Sequence, residues 1–118
     1  MANTFKTISK AGVSNSSSSP TTIYTVPAST TTVVLGILCV NTTSSSVKVS
    51  ILLESDTANT GGGTNQNITL AKDILIPSGS SLEFMAGQKY IVQTTDVIKA
   101  YSDSSNSVDI SFNYMEIT

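Results

Sequence analysis

Hydrophobic and polar residues alternate with a period of two over most of the chain from residue 22 onward. The clearest examples are 47–54 and 108–115, where valine, isoleucine, leucine and aromatic residues occupy every second position. Successive side chains of a β-strand point to opposite faces, so this alternation predicts strands with one buried face. Shorter segments of the same kind, each bounded by turn-forming residues, predict further strands at 22–26, 32–40, 67–76, 81–85, 89–93 and 97–101.

The segment Val33–Val40 departs from this alternation because it is apolar almost throughout. Such a run is typical of a central strand that is covered on both faces. Gly36 within it predicts a β-bulge or a close approach of another backbone. No segment shows the 3.6-residue period of a helix.

Clusters of Ser, Thr, Asn, Gly and Pro separate the predicted strands at intervals of about 8 to 12 residues. Short strands with such turns favour an all-β fold, a single antiparallel β-sandwich of the jelly-roll or immunoglobulin-like kind with eight or nine strands. The longest loop is Ser55–Gln66.

The first twenty residues differ from the rest and end in the polar run Ser14–Pro20. They predict an extended N-terminal arm with a Ser-rich linker (1–20), followed by the β-sandwich domain (21–118). Phe5 and Ile8 are the large apolar residues of the arm. It therefore either pairs as a short edge strand or reaches across to a neighbouring subunit.

The composition argues against most kinds of chemistry. Ser and Thr account for 37 of 118 residues, whereas His, Arg and Trp are absent, which removes the usual acid–base and phosphate-binding side chains. The formal net charge is −2 and the six lysines are scattered, so neither nucleic acid nor a membrane is an expected partner. Cys39 lies among apolar residues, which predicts a buried, inert thiol, and a single cysteine cannot form an intramolecular disulfide. The N-terminus lacks a signal-peptide pattern, and the expected location is the cytoplasm or a particle assembled there.

Three groups of residues have features of binding sites. Gly61–Gly63 lacks the Lys-Ser/Thr of a phosphate loop and predicts a flexible hairpin tip. Asp103, Asn106 and Asp109 could supply oxygen ligands to calcium, but their spacing favours a solvated turn. The tyrosines favour core-edge positions over a sugar-binding platform; they are Tyr24, Tyr90, Tyr101 and Tyr114.

The acidic residues do not predict an active site either. No two of them have a spacing that would force together the pair of carboxylates that two-carboxylate hydrolysis requires; they include Glu54, Asp56, Asp73, Glu83, Asp96 and Glu116. The sequence predicts no catalytic residue, no cofactor and no metal ligand.

Several stretches together resemble a family of small virion structural proteins of tailed bacteriophages, chiefly of marine bacteria and cyanobacteria. The stretches that carry the resemblance are Met1–Lys6, Thr22–Thr31, Ile74–Glu83, Thr94–Tyr101 and Tyr114–Ile117. They extend over nearly the whole chain, but they are strand and turn signatures and transfer no catalytic motif.

The resemblance implies a non-enzymatic β-domain within the virion, assembled in the host cytoplasm and present in many copies, with homo-oligomerisation left open. The favoured role is a capsid decoration protein that binds the shell of major capsid protein. One alternative is a neck, tail or fibre component that contacts other virion proteins. Another is a carbohydrate-binding host-recognition module, which would require Tyr24, Tyr90 or Tyr101 exposed together on one face beside Ser55–Gln66.

Overall fold

The computed structural model describes residues 2–55, 58–59, 63–64, 66–85 and 89–118. These residues form strands joined by turns, and none of them belongs to a helix that could cross a membrane. The strands are β1 (Asn3–Lys10), β2 (Thr21–Thr25), β3 (Thr31–Asn41), β4 (Val47–Glu54), β5 (Ala58–Asn59), β6 (Gly63–Thr64), β7 (Ile68–Ile76), β8 (Ser81–Glu83), β9 (Tyr90–Gln93), β10 (Val97–Ser102) and β11 (Val108–Ile117).

Nine of these strands form two antiparallel sheets packed face to face, which confirms the predicted β-sandwich. The first sheet has the order β1-β11-β3-β8, and β9 also pairs with β3; the second has the order β2-β10-β4-β7. Strands β1 to β4 alternate between the two sheets. If β8 and β9 are counted as two halves of one interrupted strand, each sheet has four members, and the strand order is that of a jelly roll.

The core lies between the sheets and is built from the inward-facing residues of each alternating strand. Phe112 on β11 is completely buried. Its ring centroid lies 5.4 Å from that of Tyr24 on β2 and 5.3 Å from that of Tyr114. Tyr24 belongs to the second sheet and the other two residues to the first, so the three rings connect the sheets within a core that also contains aliphatic residues of β3, β4 and β10.

Of the two placements expected for the N-terminal arm, the structure shows the edge strand. Every residue of β1 pairs with β11, from Asn3 opposite Ile117 to Lys10 opposite Ile110. Beyond β1, Val13 is fully buried, and its N–H donates to the carbonyl oxygen of Val108 over 3.0 Å. The division between residues 1–20 and 21–118 remains a proposal, and a deletion described below tests it.

Strand β3 occupies the centre of the first sheet, between β11 and the pair β8 and β9. The bulge predicted at Gly36 is confirmed by a shift of the β3–β11 register between the pairs Asn113–Gly36 and Tyr114–Val34. The expectation that both faces of the segment are covered is wrong for the described part of the chain. The inner side chains of β3 are buried, but Val33, Leu38 and Val40 on the outer face are only half-buried, because the second sheet packs on one side alone.

Candidate functional site

The tyrosines do not form a platform for sugars. Tyr24 and Tyr114 are buried, with ring centroids 4.5 Å apart, and they belong to the core. Tyr101 lies on β10 of the second sheet, and Tyr90 lies on β9 of the first. The exposed grouping that the carbohydrate-binding alternative requires is therefore not formed.

Tyr90 lines a small polar pocket of about 230 Å³ at one end of the sandwich, together with Ser55, Gln66 and Asp96. The carboxylate of Asp96 accepts hydrogen bonds from the backbone N–H of Gln93 at 2.9 Å and from the hydroxyl of Ser55 at 3.3 Å. These bonds hold β9, β10 and the end of β4 together, which is a structural use of the carboxylate.

Of the three residues considered for calcium, Asp103 and Asn106 lie in the turn between β10 and β11, and Asp109 lies near the start of β11. An oxygen of Asp103 accepts from the backbone N–H of Lys48, and an oxygen of Asp109 accepts from that of Gly12, each over 2.9 Å. Asn106 adopts a positive φ of 56° in the turn before β11. The described residues contain no group of three acidic, Cys or His side chains that could hold a metal ion.

Cys39 is fully buried on β3, as predicted. Burial, and to a smaller extent the nearby negative charge of Glu83, raises the pKa of its thiol to about 12. The thiol is thus protonated at neutral pH, and a protonated thiol is a poor nucleophile. Of the triple glycine, Gly61 and Gly62 lie outside the described residues, while β5 and β6 on either side pair with each other.

A polar network around the buried carboxylate of Glu116 was not predicted from the sequence. The ammonium group of Lys6 lies 2.7 Å from one oxygen of Glu116, and the hydroxyl of Tyr24 donates to the other oxygen, also over 2.7 Å. The same hydroxyl lies 2.7 Å from that of Thr32. This network connects four strands and both sheets, and it leaves no formal charge unpaired.

A row of exposed and half-buried apolar side chains crosses the outer face of the first sheet. The strand register places Phe5 opposite Met115, Met115 opposite Val33, and Val33 opposite Ile91. Neighbouring strands lie about 4.8 Å apart, so the four side chains form one continuous line. The two ends of this line are the most exposed, Phe5 at 71% and Ile91 at 64%.

Charge is nearly absent from this outer face. Among the described strand residues, the charged side chains in register with it are Glu83 and Asp109, at the opposite end from the apolar row. Both carboxylates already accept backbone hydrogen bonds: Glu83 from Met85 over 3.1 Å and Asp109 from Gly12 over 2.9 Å. The face is thus apolar at one end and weakly acidic at the other.

The outer face of the second sheet carries more charge. It has Lys48, Glu54 and Lys99 on β4 and β10, and Lys99 forms an ion pair with Glu54 at 2.9 Å. It also has an exposed apolar side chain, since Leu75 on β7, opposite Lys48, is 56% exposed. The outer face of the first sheet is therefore the less charged of the two and the more suited to contact with protein.

Comparison with known proteins gives similarity of fold. No family model matches the chain, and no curated protein matches it. The solved structure of Bacillus endospore appendages, described as disulfide-linked pili, is similar over 99% of this chain and 87% of the appendage chain, with a TM-score of 0.56 and 16% identity. The T13 viral particle of IBDV, infectious bursal disease virus, matches 97% of this chain with a TM-score of 0.50 and 10% identity, and the match spans 30% of that chain.

Proposed function

We propose that this protein is a non-enzymatic structural component of a virus particle, and specifically a decoration protein that lies on the capsid shell of a tailed bacteriophage. The observation that carries the proposal is the outer face of β3. Its sequence is that of a strand covered on both sides, yet the described residues cover only one side. The major capsid protein is the proposed partner that covers the other.

The size of the face is suited to such a contact. Strand β3 has 11 residues, and at about 3.3 Å per residue it is roughly 36 Å long. Four strands at about 4.8 Å each give a width of roughly 19 Å, hence about 700 Å². This approaches the roughly 800 Å² that each partner contributes to a stable protein–protein interface.

The apolar row provides the driving force for this contact. Burying a large aliphatic or aromatic side chain fully contributes about 1.5 to 3 kcal/mol, and Phe5 and Ile91 are both mostly exposed in the free protein. On a symmetric shell the same contact is repeated at every equivalent position, so that a modest affinity per copy still stiffens the particle. The charged second sheet would then face the solvent.

The comparisons support an assembled structural role without specifying it. The two similar structures come from a pilus and from a viral particle, and both are assemblies of proteins. At 16% and 10% identity the similarity concerns the fold, so the phage virion as location and the shell as partner rest on the outer face and on the sequence resemblance. The proposed role requires no cofactor, nucleic acid or membrane.

Copy number tests this proposal. Quantitative mass spectrometry of purified virions would give the molar ratio of this protein to the major capsid protein. A ratio of the same order as that of the shell protein is expected for decoration. A ratio lower by an order of magnitude or more would overturn decoration in favour of the neck, tail or fibre, and absence from washed particles would overturn the virion role altogether.

A further inference from the structure

Strand β1 presents an unpaired backbone edge to the solvent. Ala2 and Thr118 exchange both backbone hydrogen bonds, at 3.2 and 3.0 Å, so they form a hydrogen-bonded pair of the β1–β11 ladder. The register continues from Asn3 to Lys10 without a shift. Because hydrogen-bonded and non-bonded pairs alternate in an antiparallel ladder, the even-numbered residues of β1 bond to β11. The N–H and C=O groups of Asn3, Phe5, Thr7 and Ser9 therefore point away from the sheet.

The other sheet edges among the described strands are shorter or interrupted. The β7 edge has two register shifts, and Asp73 within it has a positive φ of 52°. The β2 edge has five residues and a register shift, while β8 and β9 have only three and four residues. Irregular edges of this kind resist pairing with other chains, whereas the eight regular residues of β1 do not.

We propose that β1 pairs antiparallel with β1 of a second copy of this chain about a two-fold axis, joining two first sheets into one continuous sheet. In the proposed register Asn3 lies opposite the partner's Ser9, and Phe5 lies opposite the partner's Thr7. The N–H and the C=O of each of the four outward-facing residues then form hydrogen bonds with a residue of the second copy. About eight hydrogen bonds form across the axis, and no outward group of the strand is left unpaired.

A second copy fits this edge because the register is self-complementary, and because it covers an exposed aromatic ring. Phe5 is 71% exposed in the single chain. In the proposed register the two Phe5 rings are diagonal neighbours on the same outer face, at a separation of about 7 to 8 Å that aromatic side chains can bridge. The apolar row of one copy then continues into that of the other.

Two lysines of β1 lie on its inner face, and Lys6, at the proposed axis, should oppose such pairing more than Lys10 at the end of the strand. A lysine on the inner face of an edge strand usually prevents edge-to-edge association, because its charge would be buried by the partner. The proposed register places Lys6 directly opposite the partner's Lys6. Each ammonium group already lies 2.7 Å from the carboxylate of Glu116 in its own chain. Pairing of the two strands would therefore bury two ion pairs, each with zero net charge.

The oligomeric state of the purified protein tests the dimer independently of any virion, and its outcome does not depend on the proposed function. Sedimentation analysis is expected to show concentration-dependent formation of a species of twice the monomer mass of 12.3 kDa. Thr7→Pro removes an outward-pointing N–H and none of the N–H groups that bond to β11, so it should abolish the dimer and leave a folded monomer with an unchanged strand signal in circular dichroism. Thr7→Ala is the matched control, because it loses the same hydroxyl contact to Asn113 but keeps the N–H. A monomeric wild type, or equal dimerisation of both variants, would overturn the proposal.

Cysteine cross-linking tests the register. The double variant N3C/S9C places cysteines opposite each other in the dimer, with Cα atoms about 5.5 Å apart and within disulfide range. N3C/T7C is the control, since its residues lie two positions out of register and beyond the roughly 7 Å limit. Cys39 is fully buried and should not interfere. Covalent dimers from N3C/S9C alone support the register, and cross-linking of the control instead would overturn it.

Discussion

Lys6 and Glu116 form an ion pair of 2.7 Å although 110 positions separate them in the sequence. The pair joins the first strand of the sandwich to the last. Glu116 is only 6% exposed and would be costly to bury as an isolated charge. Its pKa is held below its ordinary value, first by the hydrogen bond from Lys6 and then by that from Tyr24. The carboxylate is therefore ionised at neutral pH, and β1 is bound to the domain by charge as well as by backbone pairing.

This pKa shift makes part of the folding stability dependent on pH. A carboxyl group whose pKa is lower in the folded state contributes stability above its unfolded pKa of about 4.5, and that contribution is lost as the pH falls through the folded pKa. Glu116→Gln removes this titration. Urea unfolding at several pH values should show the wild type more stable than Glu116→Gln at pH 7, with the difference shrinking below about pH 4.5. A difference that stays constant down to pH 2 would contradict the role of the ion pair.

The hydroxyl of Tyr24 should contribute measurably to stability. It lies within 2.7 Å of both Glu116 and Thr32, so Tyr24→Phe leaves two buried polar groups with one partner fewer. We expect a loss of about 1 to 3 kcal/mol in the free energy of unfolding, measured with urea. Tyr101→Phe on the outer face of the second sheet is the matched control and should change stability by less than about 0.5 kcal/mol.

The strands were predictable because burial on one face imposes a period of two. Strand β11 extends from Val108 to Ile117 and β4 from Val47 to Glu54, where the alternation is clearest. The pairing of strands leaves no such local signal. That Glu116 would meet Lys6 and Tyr24 depends on the β1–β11 register and on which sheet each strand joins, and neither is encoded within a short window of sequence.

The uncovered face of β3 shows a different limit of sequence patterns. An apolar run indicates that both sides of a strand are suited to contact with protein, but it does not identify what covers each side. The sequence pattern at Val33 and Val40 is therefore the same whether these side chains contact the same chain or another protein. Asn41 is a similar case, because its residue type indicates a turn but does not indicate that its side chain is buried. The amide group donates to the carbonyl oxygens of Ser45 and Ile76 at 2.7 and 3.0 Å.

Of the two described glycines with positive φ, Gly12 should be the less tolerant of substitution. Its φ is 66°, and a Cβ atom added there would lie 2.8 Å from the side-chain oxygen of Asn106. Gly79 has nearly the same φ of 67° but open space around it, which makes it a matched control. Gly79→Ala should cost about 1 kcal/mol from backbone strain alone, and Gly12→Ala should cost clearly more. Equal losses in urea unfolding would contradict a tight contact at Gly12.

Deletion of residues 1–19 tests whether residues 21–118 fold as a unit. The shorter chain keeps eight of the nine strands of the two main sheets, so we expect it to fold. It loses Val13 from the core, the whole β1–β11 pairing and the cation that binds Glu116, which should reduce stability by about 3 to 5 kcal/mol. Adding Glu116→Gln to the deletion should restore part of that loss in thermal unfolding. An unfolded chain that this substitution does not rescue would show that the first strand belongs to the domain itself.

The proposed contact with the shell can be separated from folding by comparing two exposed residues on opposite sheets. Ile91 is 64% exposed at the end of the apolar row, and Leu75 is 56% exposed on β7, opposite Lys48 on the outer face of the second sheet. Because both side chains already face water, Ile91→Asp and Leu75→Asp should each change the free energy of unfolding by less than about 0.5 kcal/mol. Only Ile91→Asp would place a charge within the proposed interface, where a cost of about 1.4 kcal/mol or more corresponds to at least a tenfold loss of affinity.

Virions that lack the protein, incubated with each variant and then washed, should therefore retain Leu75→Asp at wild-type occupancy and Ile91→Asp at less than about a tenth of it. Equal occupancy of the two variants would show that the apolar row does not contact the shell.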